Sequence, residues 1–254
     1  MDILTKKGVF IFFTAYWVYY ALGLVMIPGL ILGAIAQNSV TTNYQKYQQV
    51  QTKRGKTSNQ ICREILDHND LQQVSLTTTE KELGDYYDPK KGTIALSPGV
   101  NNQSNISALG IACHEVGHAL QDAAGYGPAK MRRFMVPVVN FCSAMLWPLI
   151  IIGFLINFGG ASNSIIGDIC IYGGCAFFGL AIIFSLITLP TELDASKRAI
   201  KELRDGQYLD EEELVGAKAV LKAAAMTYFA SLLMSVLSFL RFLFTVLLLT
   251  RNRD

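Results

Sequence analysis

Between Phe134 and Gly167 the chain carries no charged residue. Lipid offers no partner to a free backbone N–H or C=O, so an apolar run of about 20 residues or more crosses a bilayer as a helix. Residues 135–158 are the expected span, and Pro137 and Pro148 are tolerated in membrane helices. Three further segments read the same way. Residues 9–36 are uncharged and rich in aromatics. Lys6 and Lys7 precede them, and Ala34-Ile35-Ala36 looks like a signal-peptidase site. A signal peptide is the competing reading. The apolar core far exceeds the ~7–15 residues of such peptides, which favours a retained anchor. Residues 165–189 form the third span, with Asp168 near its start and Pro190 at its end. Residues 223–250 form the fourth, interrupted only by Arg241.

The remainder has a different composition. Residues 37–133 are polar and charged and are expected to be the main soluble domain. Residues 190–222 are charged and helical by pattern. The segments 37–133 and 190–222 carry 17 of the 22 Lys and Arg residues, and the positive-inside rule places them in the cytoplasm. Only 17% of all residues are charged, against about 25% in a soluble domain. A net charge of +2 with no basic stripe argues against nucleic acid as a partner. The five cysteines form no C-x-x-C pair and no disulfide framework. Asp168 and Arg241 are costly inside lipid. A structural ion pair or a snorkelling Arg241 accounts for them more simply than transport does.

Within 37–133, Ser58–His68 has the apolar spacing of a short amphipathic helix. The runs Leu83–Tyr87 and Thr93–Ser97 flank Asp88-Pro89-Lys90-Lys91-Gly92, the signature of a β-hairpin. Then comes Ser107–Gln121, expected as a helix with Ser107 as its N-cap. It contains His114-Glu115-Val116-Gly117-His118, a match to H-E-x-x-H. Residues four apart share one helix face, about 6 Å apart along the axis. Two imidazoles so placed can hold one Zn²⁺, and Glu115 can take a proton from the attacking water. Gly117 weakens the helix by about 1 kcal/mol relative to Ala, but lets another backbone approach closely. The bland alternative is a buried helix with two satisfied histidines.

A catalytic zinc takes three protein ligands. Asp122 lies about 12 Å along the axis from His114, too far for one shared ion. His68 reads as an exposed helix end. Glu192 follows Pro190 at the membrane surface, on the side of the soluble domain. Its alternative role is to complement a helix dipole. Ser196, one turn on, is placed to support a liganding His. Asn102 and Asn105 begin sequons by pattern, which read as accidental so close to the H-E-x-x-H helix.

Leu83-Gly84-Asp85-Tyr86-Tyr87-Asp88-Pro89, Leu96-Ser97, Ala112–Gln121 and Leu189–Ser196 together resemble the YugP-type neutral zinc metallopeptidases of bacterial membranes. More distantly they resemble the HtpX-like membrane proteases. The resemblance runs from about residue 55 to 205. It implies a mostly α (α+β) fold: four transmembrane helices plus a zincin-like catalytic domain with a small β-hairpin and the H-E-x-x-H helix. It implies one Zn²⁺ held by His114, His118 and Glu192, with Glu115 as base. Two departures stand out. The family usually has Asp-His-Tyr-Asp-Pro where this chain has Asp85-Tyr86-Tyr87-Asp88-Pro89, and the HtpX-like proteins place an Asp at the position of Ser196.

The expected function is therefore a multi-pass metalloendopeptidase of the bacterial cell membrane with a cytoplasmic active site. Its partners would be membrane lipids and a peptide or membrane-protein substrate. Tyr86 or Tyr87 is a candidate donor to the oxyanion, and Thr93–Ser97 a candidate edge strand for an extended substrate. A non-catalytic membrane scaffold or assembly factor with a structural metal site is the competing class. An intact Glu115 counts against it, since a structural site needs no base.

Overall fold

The computed structural model describes Trp17, Tyr20, Ala21, residues 23–158 and residues 164–251. Residues 1–16, with Lys6, Lys7 and the start of the expected first span, lie outside the described residues. So do most of the Gly159–Ser164 turn and Arg253. In chain order the elements are α1 (Ile27–Gln48), α2 (Ser58–His68), β1 (Ser75–Thr78), β2 (Tyr86–Asp88), β3 (Thr93–Leu96), α3 (Ile106–Ala123), α4 (Gly127–Phe158), α5 (Ile165–Asp205) and α6 (Glu211–Arg251). A short 3-10 turn, Leu24–Met26, leads into α1.

Among the described residues four segments are long and apolar enough to cross a membrane: Leu24–Gln48, Gly127–Asn157, Ile165–Asp205 and Glu211–Leu247. Their large apolar side chains face outward. Phe141, Trp147, Leu155 and Ile169 are each more than half exposed, a surface suited to acyl chains rather than water. Pro190 does not end a helix. It lies inside α5, which continues to Asp205. The proline removes one backbone bond, to the Leu186 carbonyl. That loss is too small to break a helix packed along its length.

Two compact units emerge. One comprises Ala34–Arg133 and Ile187–Phe229. Its core joins Ile61 and Leu66 of α2, Ile94 and Leu96 of β3, Leu109 and Val116 of α3, Leu203 of α5 and Leu214 of α6. Cys113 is buried in the same core. The other comprises the described residues within 1–33, 134–186 and 230–254. Its described residues pack Ile150, Ile171, Phe242 and Val246 together. There the Asn157 amide donates to the Asp168 carboxylate at 2.8 Å.

In the first unit the hairpin forms as the turn chemistry dictates. β2 pairs antiparallel with β3, setting Tyr87 opposite Ile94. The sheet also has a strand the sequence reading missed. β1 pairs parallel with β3, from Ser75–Thr93 to Thr78–Leu96. The order β1-β3-β2 makes β3 the central strand. Both its edges are occupied, so Thr93–Ser97 is not an edge strand and cannot take an extended substrate. The N-cap of α3 also differs from expectation. Asn105, not Ser107, caps it, its side-chain oxygen accepting from the Ala108 N–H at 2.8 Å. Asn105 is almost fully buried, which removes its sequon from the surface.

Candidate metal and catalytic site

The site is built on α3 and α5. One helical turn separates His114 from His118, which sets their rings edge-to-face with centroids 4.8 Å apart. The Nε2 of His114 lies 3.1 Å from Glu192 Oε2, and that of His118 lies 3.6 Å from the same oxygen. One donor atom from each of the three side chains falls within 4.8 Å of the other two. Gly117 makes this approach possible. A Cβ there would meet the Ala195 carbonyl oxygen at 2.4 Å, so only glycine lets α5 come this close to α3.

The outward nitrogens of both rings are engaged. Gln121 is fully buried. Its Nε2 donates to the Thr191 carbonyl at 2.7 Å and to the Asp194 carboxylate at 2.9 Å. That fixes the amide so that Oε1, 3.0 Å from His118 Nδ1, is the acceptor. The ring therefore donates from Nδ1 and keeps the Nε2 lone pair free. Ser196 Oγ lies 3.2 Å from His114 Nδ1 and orients the other ring. Two Nε2 atoms and one carboxylate oxygen, each ring held from behind, are a donor set that suits zinc. Glu192 is itself anchored: its Oε1 accepts from the Arg132 guanidinium.

Glu115 is buried beside the ligand cluster. Burial pushes its carboxyl above the ordinary value, against the pull of His114 and His118. A raised carboxyl is a stronger base. At His118, burial resists the charged form, but the nearby Glu192 carboxylate and the Glu115 charge outweigh it and raise the imidazole. His114, Glu115, Glu192 and Ser196 open onto a common cavity of about 220 Å³.

The other candidates fall elsewhere. The Tyr87 hydroxyl donates to Asp122 at 3.2 Å, and burial next to that carboxylate pushes it up to about 12. Tyr86 is half-exposed on strand β2. Neither lines the cavity, whose wall instead carries Tyr44 and Tyr228. Asp122 pairs with Arg133, and His68 is exposed at the end of α2. Sequence reasoning missed Gln121, Arg132, Asp194 and Tyr228. The signal for Gln121 was its position three residues past His118, one turn on along the same helix.

Residues 22–247 match the family described as "Putative neutral zinc metallopeptidase". The chain belongs to this family. It is 37% identical over 229 residues to "Putative membrane protease YugP" of Bacillus subtilis (strain 168), a match covering 90% of this chain and 96% of that protein. No solved structure matches the chain. Membership of this family implies zinc, and His114, His118 and Glu192 are the residues that fit it. The family also carries the coarse activity, a membrane-associated peptidase.

Proposed function

We propose that the protein is a zinc metalloendopeptidase in which His114, His118 and Glu192 hold the ion and Glu115 is the general base. The observation that carries this reading is the convergence of two Nε2 atoms and one carboxylate oxygen on one point, with a buried carboxyl beside them. Zinc held by these three side chains would supply Lewis acidity toward the scissile carbonyl and would lower the pKa of water to about 7. Glu115 takes the proton of the attacking water and passes it to the departing amine. The Arg132 guanidinium occupies Glu192 Oε1, so Glu192 offers the ion its other oxygen. Tyr228 shares the cavity wall with Glu115 and Glu192. It is the donor we assign to the oxyanion in place of Tyr86 or Tyr87.

The substrate class is a peptide or membrane protein, reached at the lipid boundary of a bacterial cell membrane. The 17 Lys and Arg residues of segments 37–133 and 190–222 favour a cytoplasmic site. Cysteine-accessibility labelling of 37–133 in intact cells and in inverted vesicles tests that side. Replacing Glu115 by Gln tests the chemistry. The variant retains zinc and loses peptide cleavage. Cleavage at the wild-type rate by a pure Glu115→Gln preparation rejects the mechanism.

A further inference from the structure

The cavity onto which His114, Glu115 and Glu192 open extends beyond them. Its lining includes one stripe of α6: Val220, Leu221, Ala224 and Ala225. The spacing i, i+1, i+4, i+5 keeps these four on a single helix face. Ile111, one turn before the metal-ligand row on α3, adds a further apolar surface. Two of the stripe positions are alanines, and the room in the cavity depends on their small side chains.

Three carboxylates line the cavity, those of Asp85, Glu115 and Glu192. Glu192 is occupied by Arg132 and the two histidines. At Asp85, Oδ1 accepts the Ser97 N–H at 2.7 Å and Oδ2 the Ser97 hydroxyl at 2.9 Å. Both Asp85 oxygens are thereby spent on Ser97. Among the described residues no Lys or Arg lines the cavity. An acidic side chain would meet these carboxylates, and a basic one could pair only by taking Glu115 or Glu192 from the chemistry, whereas an apolar one gains by burial against the α6 stripe. The volume of about 220 Å³ is below the ~300–1,000 Å³ of sites for drug-sized ligands. It suits one side chain.

We infer that this cavity is the specificity subsite for a single medium-to-large apolar side chain, of the Leu, Met or Phe class, next to the scissile bond. Ala224 and Ala225 set its depth. The inference rests on the peptidase reading and adds the residue class the enzyme selects.

The test uses the full-length, zinc-loaded protein in detergent and quenched-fluorescence peptides varied at one position. Wild type prefers Leu, Met or Phe over Gly, Asp or Lys by at least about tenfold in kcat/KM, the scale on which apolar pockets discriminate. Ala225→Phe and Ala224→Leu, each fill the cavity and lower the Leu-to-Gly ratio by about tenfold. Zinc content and melting temperature identify whichever variant is native, and that variant decides. Equal cleavage of Leu and Gly peptides by wild type, or an unchanged ratio in a native variant, overturns the subsite. Binding separates this failure from that of the peptidase reading. Glu115→Gln protein binds a labelled Leu peptide about tenfold more tightly than its Gly counterpart, and adding Ala225→Phe removes the difference. If wild type cleaves nothing, the peptidase reading fails, and this binding difference alone upholds the subsite or, if absent, rejects it.

Discussion

Gln121 Oε1 lies 3.0 Å from His118 Nδ1, while the amide nitrogen of Gln121 is spent on Thr191 and Asp194. One buried side chain thereby fixes a ring tautomer on α3 and ties the helix to the stretch of α5 around Glu192. Gln121→Ala removes both functions. Zinc affinity falls about 10- to 100-fold, and losing the two amide hydrogen bonds to Thr191 and Asp194 costs about 1–3 kcal/mol. Competition with a chromophoric chelator and thermal melting measure the two effects. Unaltered zinc affinity in the variant would refute the tautomer argument.

Gly117 gives a steric prediction. The Cβ of Gly117→Ala would sit 2.4 Å from the Ala195 carbonyl oxygen. α3 and α5 must separate, at a cost of about 1–3 kcal/mol. The same displacement draws Glu192 away from both rings, so stability and zinc stoichiometry fall together. At an ordinary exposed helix position this substitution would stabilise by about 1 kcal/mol, so the sign of the change in melting temperature decides.

The raised His118 imidazole predicts how zinc is lost in acid. Without the ion, the folded protein holds a proton on His118 to a higher pH than a free imidazole, whose pKa is about 6.5. The proton must leave before Nε2 can ligate. Zinc affinity therefore declines as pH falls, and the decline begins above the usual imidazole range. Isothermal titration in buffers of differing ionisation heat counts the protons released. Release of no proton between pH 6 and 8 would contradict the assignment.

The two tyrosine assignments separate cleanly. Tyr228→Phe retains zinc and lowers kcat by about 10²- to 10³-fold if its hydroxyl stabilises the oxyanion. Tyr87→Phe leaves kcat within a few-fold, because that hydroxyl serves Asp122. A reversed order in steady-state kinetics would return the role to the hairpin.

Much of the site was readable from spacing. The pair His114 and His118 needs only the helical period, and Gly117 announced a close neighbour. Glu192 stood out through its place beside an apolar span and through family resemblance. Arg132 and Tyr228 did not. Each is an ordinary helix residue until α5 and α6 fold against α3, and no local rule ranks it above its neighbours. The sheet order was hidden for a related reason. Ser75-Leu76-Thr77-Thr78 is short and polar, and its parallel partner lies across the whole hairpin. Pro190 misled because a proline's local cost was weighed without the packing along the rest of the helix.

The third ligand follows His114 by 78 residues, and two lipid-crossing segments lie in between. A ribosome making this chain releases both histidines long before Glu192 exists. The membrane must accept two further helices before a complete cage for the ion can close. A nascent chain stalled short of α5 therefore carries two of the three side chains that converge in the folded site.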